Sequence, residues 1–245
     1  MKILLTITYD GTNYFGWQRQ KNVITVQQIV EEKLSWLLKK NIKITGASRT
    51  DSKVHALDQK AVFNIDFCPI PINKFPLAIN NLLPNDIVIS GAEEKPDNFQ
   101  VRYDVKNKTY RYKILNSEFP IPIYNNYVWH IKNKLNKKII LEALPYFIGT
   151  KDFKSFCSSN SSSKTTIRTI YDFNANFYHD FIIFEITGNG FLYNMIRIII
   201  STIIELAKNK IKLNELNQIF ARKKRVPEVK TAPPQGLTLI KINYK

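Results

Sequence analysis

The most apolar stretch of the chain, MIRIIISTIIELA at residues 195–207, reads as a helix interrupted only by Arg197 and Glu205. It is too short to span a bilayer, which takes about 20 residues, so it belongs inside a globular core. Just before it, residues 167–177 and 181–187 alternate as the two strands of a hairpin, and Asn189 to Phe191 turn the chain into the helix. Hairpin-linked strands mixed with helices favour an α+β fold over a parallel doubly wound sheet.

The rest of the chain repeats this mixture. Residues 2–9 read as a strand broken by the turn residues YDGTN, and Thr25 is placed to cap a helix over 26–40 whose apolar face is Val26, Ile29, Val30, Leu34 and Leu37. Strands are predicted at 42–47 and 59–67, joined by the polar loop SRTDSKVHALD, then a short helix at 72–83 interrupted by Pro76 and a strand at 86–93. Strict alternation marks a strand at 108–115, followed by helices at 137–147 and 213–222 and a last strand at 237–244. The serine-rich run from Ser158 reads as a flexible loop. A charged stretch at 101–107 suggests a boundary, giving an N-terminal half 1–103 and a C-terminal half 104–245.

Composition narrows the chemistry. Thirty-six Lys and Arg stand against 20 Asp and Glu, a formal charge of +16, which points to a polyanion and most simply to nucleic acid. The general abundance of Lys, Asn and Ile is the alternative source of that charge. Two cysteines, Cys68 and Cys157, form no disulfide framework or thiolate cage, and three scattered histidines make no HExxH pattern, so no metal is expected. Neither GxGxxG nor GxxxxGK[ST] occurs, which argues against dinucleotide and Walker-type sites. The N-terminus MKILLTITYDG has no cleavable signal pattern, and a soluble cytoplasmic protein with no membrane association is expected.

Three places can carry chemistry. The loop SRTDSKVHALD sets Asp51 among Arg49, Lys53 and His55, cations that would hold a carboxylate ionised; the plain alternative is a solvated loop with Asp51 capping a turn. Asn194, Arg197 and Ser201 share one face of the apolar helix, where a guanidinium needs a carboxylate or several acceptors from elsewhere. From the helix alone, a structural bridge or a snorkelling side chain is the simpler reading. Tyr110 and Tyr112 point to one side of their strand, to stack on a nucleobase or to pack a core.

Read together, the blocks YDGTNYFGWQRQ, TVQ, RTDSKVHALDQ, KTYRYKI, DFKSF, GFLYNMIR and TAPPQGL, in this order along nearly the whole chain, resemble the tRNA pseudouridine synthase A family. The resemblance implies two similar α/β halves around a basic cleft, built on a mixed, mainly antiparallel sheet flanked by helices. It implies isomerisation of uridine to pseudouridine in the anticodon stem-loop of tRNA, at nucleotides 38–40, with no cofactor and as a homodimer. The same resemblance makes Asp51 the catalytic carboxylate, either attacking C1′ or abstracting a ribose proton to give a glycal. Tyr110 becomes the residue stacked on the target base and Arg197 the partner of Asp51. Arg49 would hold the flipped arrangement, and His55, Gln18 and Arg19 would join it at the RNA; Lys53, by its own charge, would help bind phosphate and further lower the pKa of Asp51.

The sequence departs from the family in the catalytic loop. Ser52 and Lys53 stand where alanine and glycine are usual, Ser48 and Ser201 where glycine is common. Lost glycines matter if the backbone there needs a positive φ. That departure motivates a rival reading, a catalytically idle tRNA-binding protein, beside a related synthase acting at other RNA sites.

Overall fold

A computed structural model describes residues 1–158, 163–225 and 229–245. The chain forms two compact units, one of residues 1–106 with 238–245 and one of residues 107–237. The sequence reading divided the chain at 103/104; here the last strand returns to the first unit.

In the first unit, β1 (Lys2–Tyr9) is followed by α1 (Val26–Leu38), β2 (Thr45–Gly46), β3 (His55–Asn64), α2 (Phe75–Asn80) and β4 (Ile87–Lys95). The second unit holds β5 (Val105–Leu115, its first residues still in the first unit), β6 (Trp129–His130), α3 (Lys137–Ala143), β7 (Gly149–Asp152), β8 (Ile167–Tyr178), β9 (Phe181–Gly188), α4 (Met195–Ala207) and α5 (Glu215–Arg222); β10 (Leu237–Tyr244) closes the chain.

The sheet of the first unit runs β4-β1-β3-β10. Its pairings are antiparallel except β10 with β3, where Thr238 faces His55. On β1 the buried side chains Ile3, Leu5 and Ile7 fill the core, as the sequence alternation requires. Thr25 starts α1 by accepting the Gln28 N–H, and Lys39 ends it in the left-handed conformation. Val26, Val30, Leu34 and Leu38 form its buried stripe. Glu31, 3% exposed, sits on the same helix without isolation: its carboxylate accepts from Arg19 Nη1 (2.9 Å), Gln27 Nε2 (3.0 Å) and the Ile44 N–H (3.1 Å), with Lys43 Nζ 3.6 Å away. A buried carboxylate needs such a full set of donors, and this one ties segments on both sides of α1 to the helix.

In the second unit the strand order is β5-β9-β8-β7, antiparallel throughout, with β6 parallel on β5. The β8–β9 hairpin turns on His179 and Asp180, with His179 at φ +51°. α4 is buried over almost its whole length and packs against α3, as its apolar sequence demands. Phe147, Phe153, Phe156 and Phe220 gather in one aromatic cluster, the closest pair with centroids 4.8 Å apart.

The strand pairings of each unit match the expected mixed, mainly antiparallel sheet with flanking helices. The differences are local. Residues 42–47 make a two-residue strand because Ile42 and Ile44 bond to the Ser35 and Glu31 side chains of α1. β3 begins at His55, so the end of the polar loop is strand. Prolines at 76 and 145 split the predicted helices at 72–83 and 137–147 into 3₁₀ and α segments. β6 and β7 are too short to announce themselves by periodicity. The serine-rich loop expected from Ser158 falls largely on residues 159–162, outside the described residues.

Asp152, at the end of β7, shows how one carboxylate fastens a loop. It accepts the Thr166 hydroxyl (2.6 Å) and the Lys154 N–H (3.1 Å), and Lys223 Nζ lies 3.5 Å away. The Thr166 bond, then the Lys154 N–H and Lys223, hold its carboxyl below the usual range against the opposing effect of burial. Because its folded value is lowered, the stabilisation is present above the ordinary carboxylate range and is lost as pH falls through the folded value. Asp152→Asn is expected to lower the urea midpoint at pH 7 and to reduce its fall on acidification to pH 3. Parallel curves for the two proteins would refute this.

Candidate active site

Asp51 lies in the 47–54 loop between β2 and β3, and the loop is gripped by the segment that follows β1. The Trp17 N–H donates to the Thr50 carbonyl (3.1 Å), and the Lys53 N–H and Ser52 hydroxyl donate to the Tyr14 carbonyl (3.1 and 3.3 Å). Tyr9 OH and Thr50 Oγ1 lie 2.7 Å apart, and the Val54 N–H closes a turn onto the Asp51 carbonyl (3.2 Å). On the other side Gln59, fully buried, bonds both ways with the Ser48 backbone (3.2 and 2.7 Å).

These approaches are backbone to backbone, and two glycines permit them. A Cβ on Gly16, which sits at φ +87°, would lie 2.6 Å from the Thr50 carbonyl oxygen; one on Gly11 would lie 2.1 Å from that of Val54. The sequence block YDGTNYFGW is therefore a collar around the Asp51 loop, and its glycines are the contact surface. Tyr14 also anchors it, donating to Asp86 (2.5 Å); burial first, then that bond, pushes its phenol well above the ordinary range.

The other sequence candidates of the first unit divide into two groups. Gln18 Nε2 donates to Gln27 (2.7 Å), Arg19 is held at Glu31, and His55 is 5% exposed with its Nδ1 accepting the Gly11 N–H (3.0 Å). Arg49 and Lys53 are exposed. Lys53 occupies the left-handed region at φ +64°, the conformation that glycine adopts without strain.

Tyr110 and Arg197 belong to the second unit. Tyr110, on β5, is 6% exposed, and its ring meets Phe191 edge to face at 5.3 Å. Arg197, in the first turn of α4, donates from Nε to the Ala232 carbonyl and from Nη1 to Asn194 Oδ1, both at 2.7 Å. Asn194 reaches that position because it sits at φ +60° before the helix, where its own Nδ2 donates to Ser158 Oγ (2.9 Å). The TAPPQGL segment supplies the acceptor for Arg197 and, through the Pro233 carbonyl, one for Tyr112 OH (2.7 Å). Tyr112 is thus a core residue; burial raises its phenol far above the ordinary range although Arg197 pulls the other way. The sequence pattern had marked the Asn194–Arg197 face without the Ala232 carbonyl, which periodicity does not reveal.

A cavity of about 300 Å³ opens at the other end of β5, lined by Asn116, Lys132, Lys134, Lys137, His179 and Asp180 among others. It contains none of the candidate residues. Among the described residues no group of three or more His, Cys, Asp or Glu side chains is placed to hold a metal ion, and no helix is long and apolar enough to cross a membrane.

Comparison with known proteins agrees with the block pattern. The family model described as tRNA pseudouridine synthase matches residues 5–104 and 143–245. Proteins named tRNA pseudouridine synthase A from Thermoanaerobacter sp. (strain X514) and from Acetivibrio thermocellus are 46% and 45% identical to the chain over 242 residues, covering 99% of both chains in each case. A crystal structure of a Cbf5-Nop10-Gar1 complex overlaps 82% of this chain and 53% of that one at 11% identity and a TM-score of 0.35, a likeness too loose to carry weight.

The collar geometry makes opposite forecasts for two substitutions. Gly16→Ala forces a side chain into a positive φ and against the Thr50 carbonyl, and is expected to cost at least about 1–3 kcal/mol. Lys53→Gly relieves a left-handed lysine and is expected to stabilise by about 1 kcal/mol. Urea unfolding of the two variants beside the parent checks both signs; a neutral Gly16→Ala would mean the collar is loose.

Proposed function

The chain belongs to the tRNA pseudouridine synthase family, and we propose that it isomerises uridine to pseudouridine in the anticodon stem-loop of tRNA, at nucleotides 38–40. The observation that carries this reading is 46% identity to a synthase over nearly the full length, combined with an RTD aspartate on a loop clamped from both sides. The reaction breaks the N1–C1′ bond, turns the uracil, joins C5 to C1′ and returns the C5 proton to N1, so no net redox change or outside reactant is needed.

In this proposal Asp51 is the carboxylate that drives glycosidic cleavage, by attack on C1′ or by abstracting a ribose proton, and its clamped loop fixes the carboxylate's position without reorganisation. A target base must leave its stack to be reached, at a cost of a few kcal/mol; Tyr110 stacks on it, and Arg49 supports the flipped arrangement. Arg197 is the counter-ion of Asp51. Its hold on Asn194 and Ala232 supports that role, because two fixed donors leave the guanidinium little freedom to turn away. The net charge of +16 supports phosphate binding along the RNA, with Lys53 among the contacts and Gln18, Arg19 and His55 shaping the site from behind. A homodimer acting in the cytoplasm completes the reading.

Incubation with unmodified tRNA transcript followed by chemical mapping tests it. The parent protein is expected to convert uridine at positions 38–40, and Asp51→Asn to convert none while binding tRNA about as well, because phosphate contacts dominate affinity. Turnover by Asp51→Asn within tenfold of the parent would sink the assignment. Binding without conversion by the parent would favour the idle tRNA-binding protein that Ser52 and Lys53 suggested.

Arg197→Met separates a counter-ion from a structural arginine. Loss of the cation makes protonation of Asp51 easier, so the acid limb of the pH–rate profile is expected to move to higher pH, with partial rescue in Arg197→Lys. A structural arginine would instead lower the unfolding temperature and leave the limb of the folded fraction where it was.

A further inference from the structure

Arg102 follows β4 in the stretch that the sequence marked as a boundary, yet it is not a linker residue. The turn that carries it is tied down: the Gln100 N–H donates to Asp104 Oδ2 (2.7 Å), Tyr244 OH donates to the Val101 carbonyl (3.1 Å), and the Lys245 N–H donates to the Asp104 carbonyl (3.1 Å). From this turn Arg102 Nε donates to the Gly46 carbonyl (3.1 Å), on the strand that leads directly into the Asp51 loop. That bond uses one edge of the guanidinium. Its Nη donors have no acceptor among the described residues, and the same holds for every side-chain donor of Arg49, three residues beyond Gly46.

Neither arginine has a carboxylate within 4.0 Å among the described residues, although Arg19 has two and Arg111 has one. Arg102, bonded at Gly46, and Arg49, three residues further along the same segment, bring two positive charges without a paired acid to one stretch of the first unit; like charges repel, and an anion bound by both relieves the repulsion. Partial desolvation first, and then the positive charge of Arg49, hold the Arg102 guanidinium below its ordinary value. Tyr103, 78% exposed, stands beside Arg102. Cations with an exposed aromatic neighbour are the combination that single-stranded RNA-binding surfaces use for backbone and base.

We propose that Arg102 and Arg49 form a two-guanidinium clamp for one phosphodiester of the substrate strand, at the entrance to the Asp51 loop. This rests on the reading of the chain as an RNA-modifying enzyme. Arg102 is the member that sequence patterns do not reveal, since its partner lies more than fifty residues away along the chain. Holding a phosphate there fixes the register of the strand relative to Asp51, so the clamp contributes to positioning as well as to affinity.

The test measures binding of unmodified tRNA transcript against salt concentration, and single-turnover pseudouridine formation, for the parent, Arg102→Gln, Arg102→Lys, Arg49→Gln and the double variant. Arg102→Gln is expected to weaken binding roughly tenfold and to reduce the slope of log affinity against log salt by about one. Arg102→Lys keeps the slope but loses part of the affinity, because an ammonium cannot make the planar two-point contact. The double variant should lose less than the two single losses combined, since both arginines serve one phosphate.

An unchanged salt slope in a folded Arg102→Gln protein, or strictly additive losses, would overturn the clamp. A merely structural Arg102, bonded only to Gly46, would lower the thermal midpoint and leave the slope alone. Inorganic phosphate provides the arm for a free anion: thermal protection of the parent at low millimolar phosphate, lost in Arg102→Gln with no effect on tRNA binding, would overturn the RNA assignment. If the parent makes no pseudouridine but the slope still falls, the catalytic reading fails and the clamp stands; conversion with an unmoved slope gives the reverse.

Discussion

The grip of one backbone segment on another holds the Asp51 loop of the first unit in place. Main-chain groups from Tyr14 to Trp17 bond to the main chain of Thr50 and Lys53, at distances that leave no room for a Cβ on Gly16 or Gly11. Such contacts are short and directional, and they fix φ and ψ of the gripped loop as well as its position. A polar loop between two strands would ordinarily be mobile. Here the loop is a rigid shelf, with Gln59 beneath it and the collar around it, and Asp51 stands on the shelf. The left-handed lysine at position 53 follows from the same constraint: the grip sets the backbone, and whatever residue occupies the position must accept it.

The second unit solves a similar problem by different means. Arg197 begins a helix that is otherwise apolar, and a guanidinium there would carry a large desolvation cost if its donors went unused. The Ala232 carbonyl and the Asn194 side chain satisfy it, and Asn194 can do so because it adopts a left-handed conformation before the helix starts. The 231–237 segment supplies both acceptors: the Ala232 and Pro233 carbonyls precede its short 3₁₀ turn at Pro234–Gly236 and accept from Arg197 and Tyr112.

Net charge alone says little about which cations meet a ligand. Arg19, Lys43 and Arg111 are committed to Glu31 and Glu185, and Lys60 to Asp58 and the Thr6 hydroxyl. These pairs are internal, and their contribution to long-range attraction for RNA is reduced by their partners. Arg49 and Arg102 lack such partners among the described residues. The division could not be drawn from counts of Lys and Arg, because it depends on which acid each cation reaches in three dimensions.

The sequence on its own determined what is local and periodic. Alternation located β5, β8, β9 and β10, the cap at Thr25 started α1, and the apolar run located α4 nearly to the residue. Its ordered blocks, through a resemblance to the family, also offered Asp51, Tyr110 and Arg197 as site candidates. Short pairings such as β6 and β7 stayed hidden, because two to four residues carry no period. Only the tertiary structure decided that Gly11 and Gly16 let one backbone touch another, that His55 and Arg19 bond to internal partners, and that Arg102 bonds to the Gly46 carbonyl ahead of the Asp51 loop. Each of those depends on distances between segments far apart in the chain, and a periodicity read along one strand or helix contains no information about them.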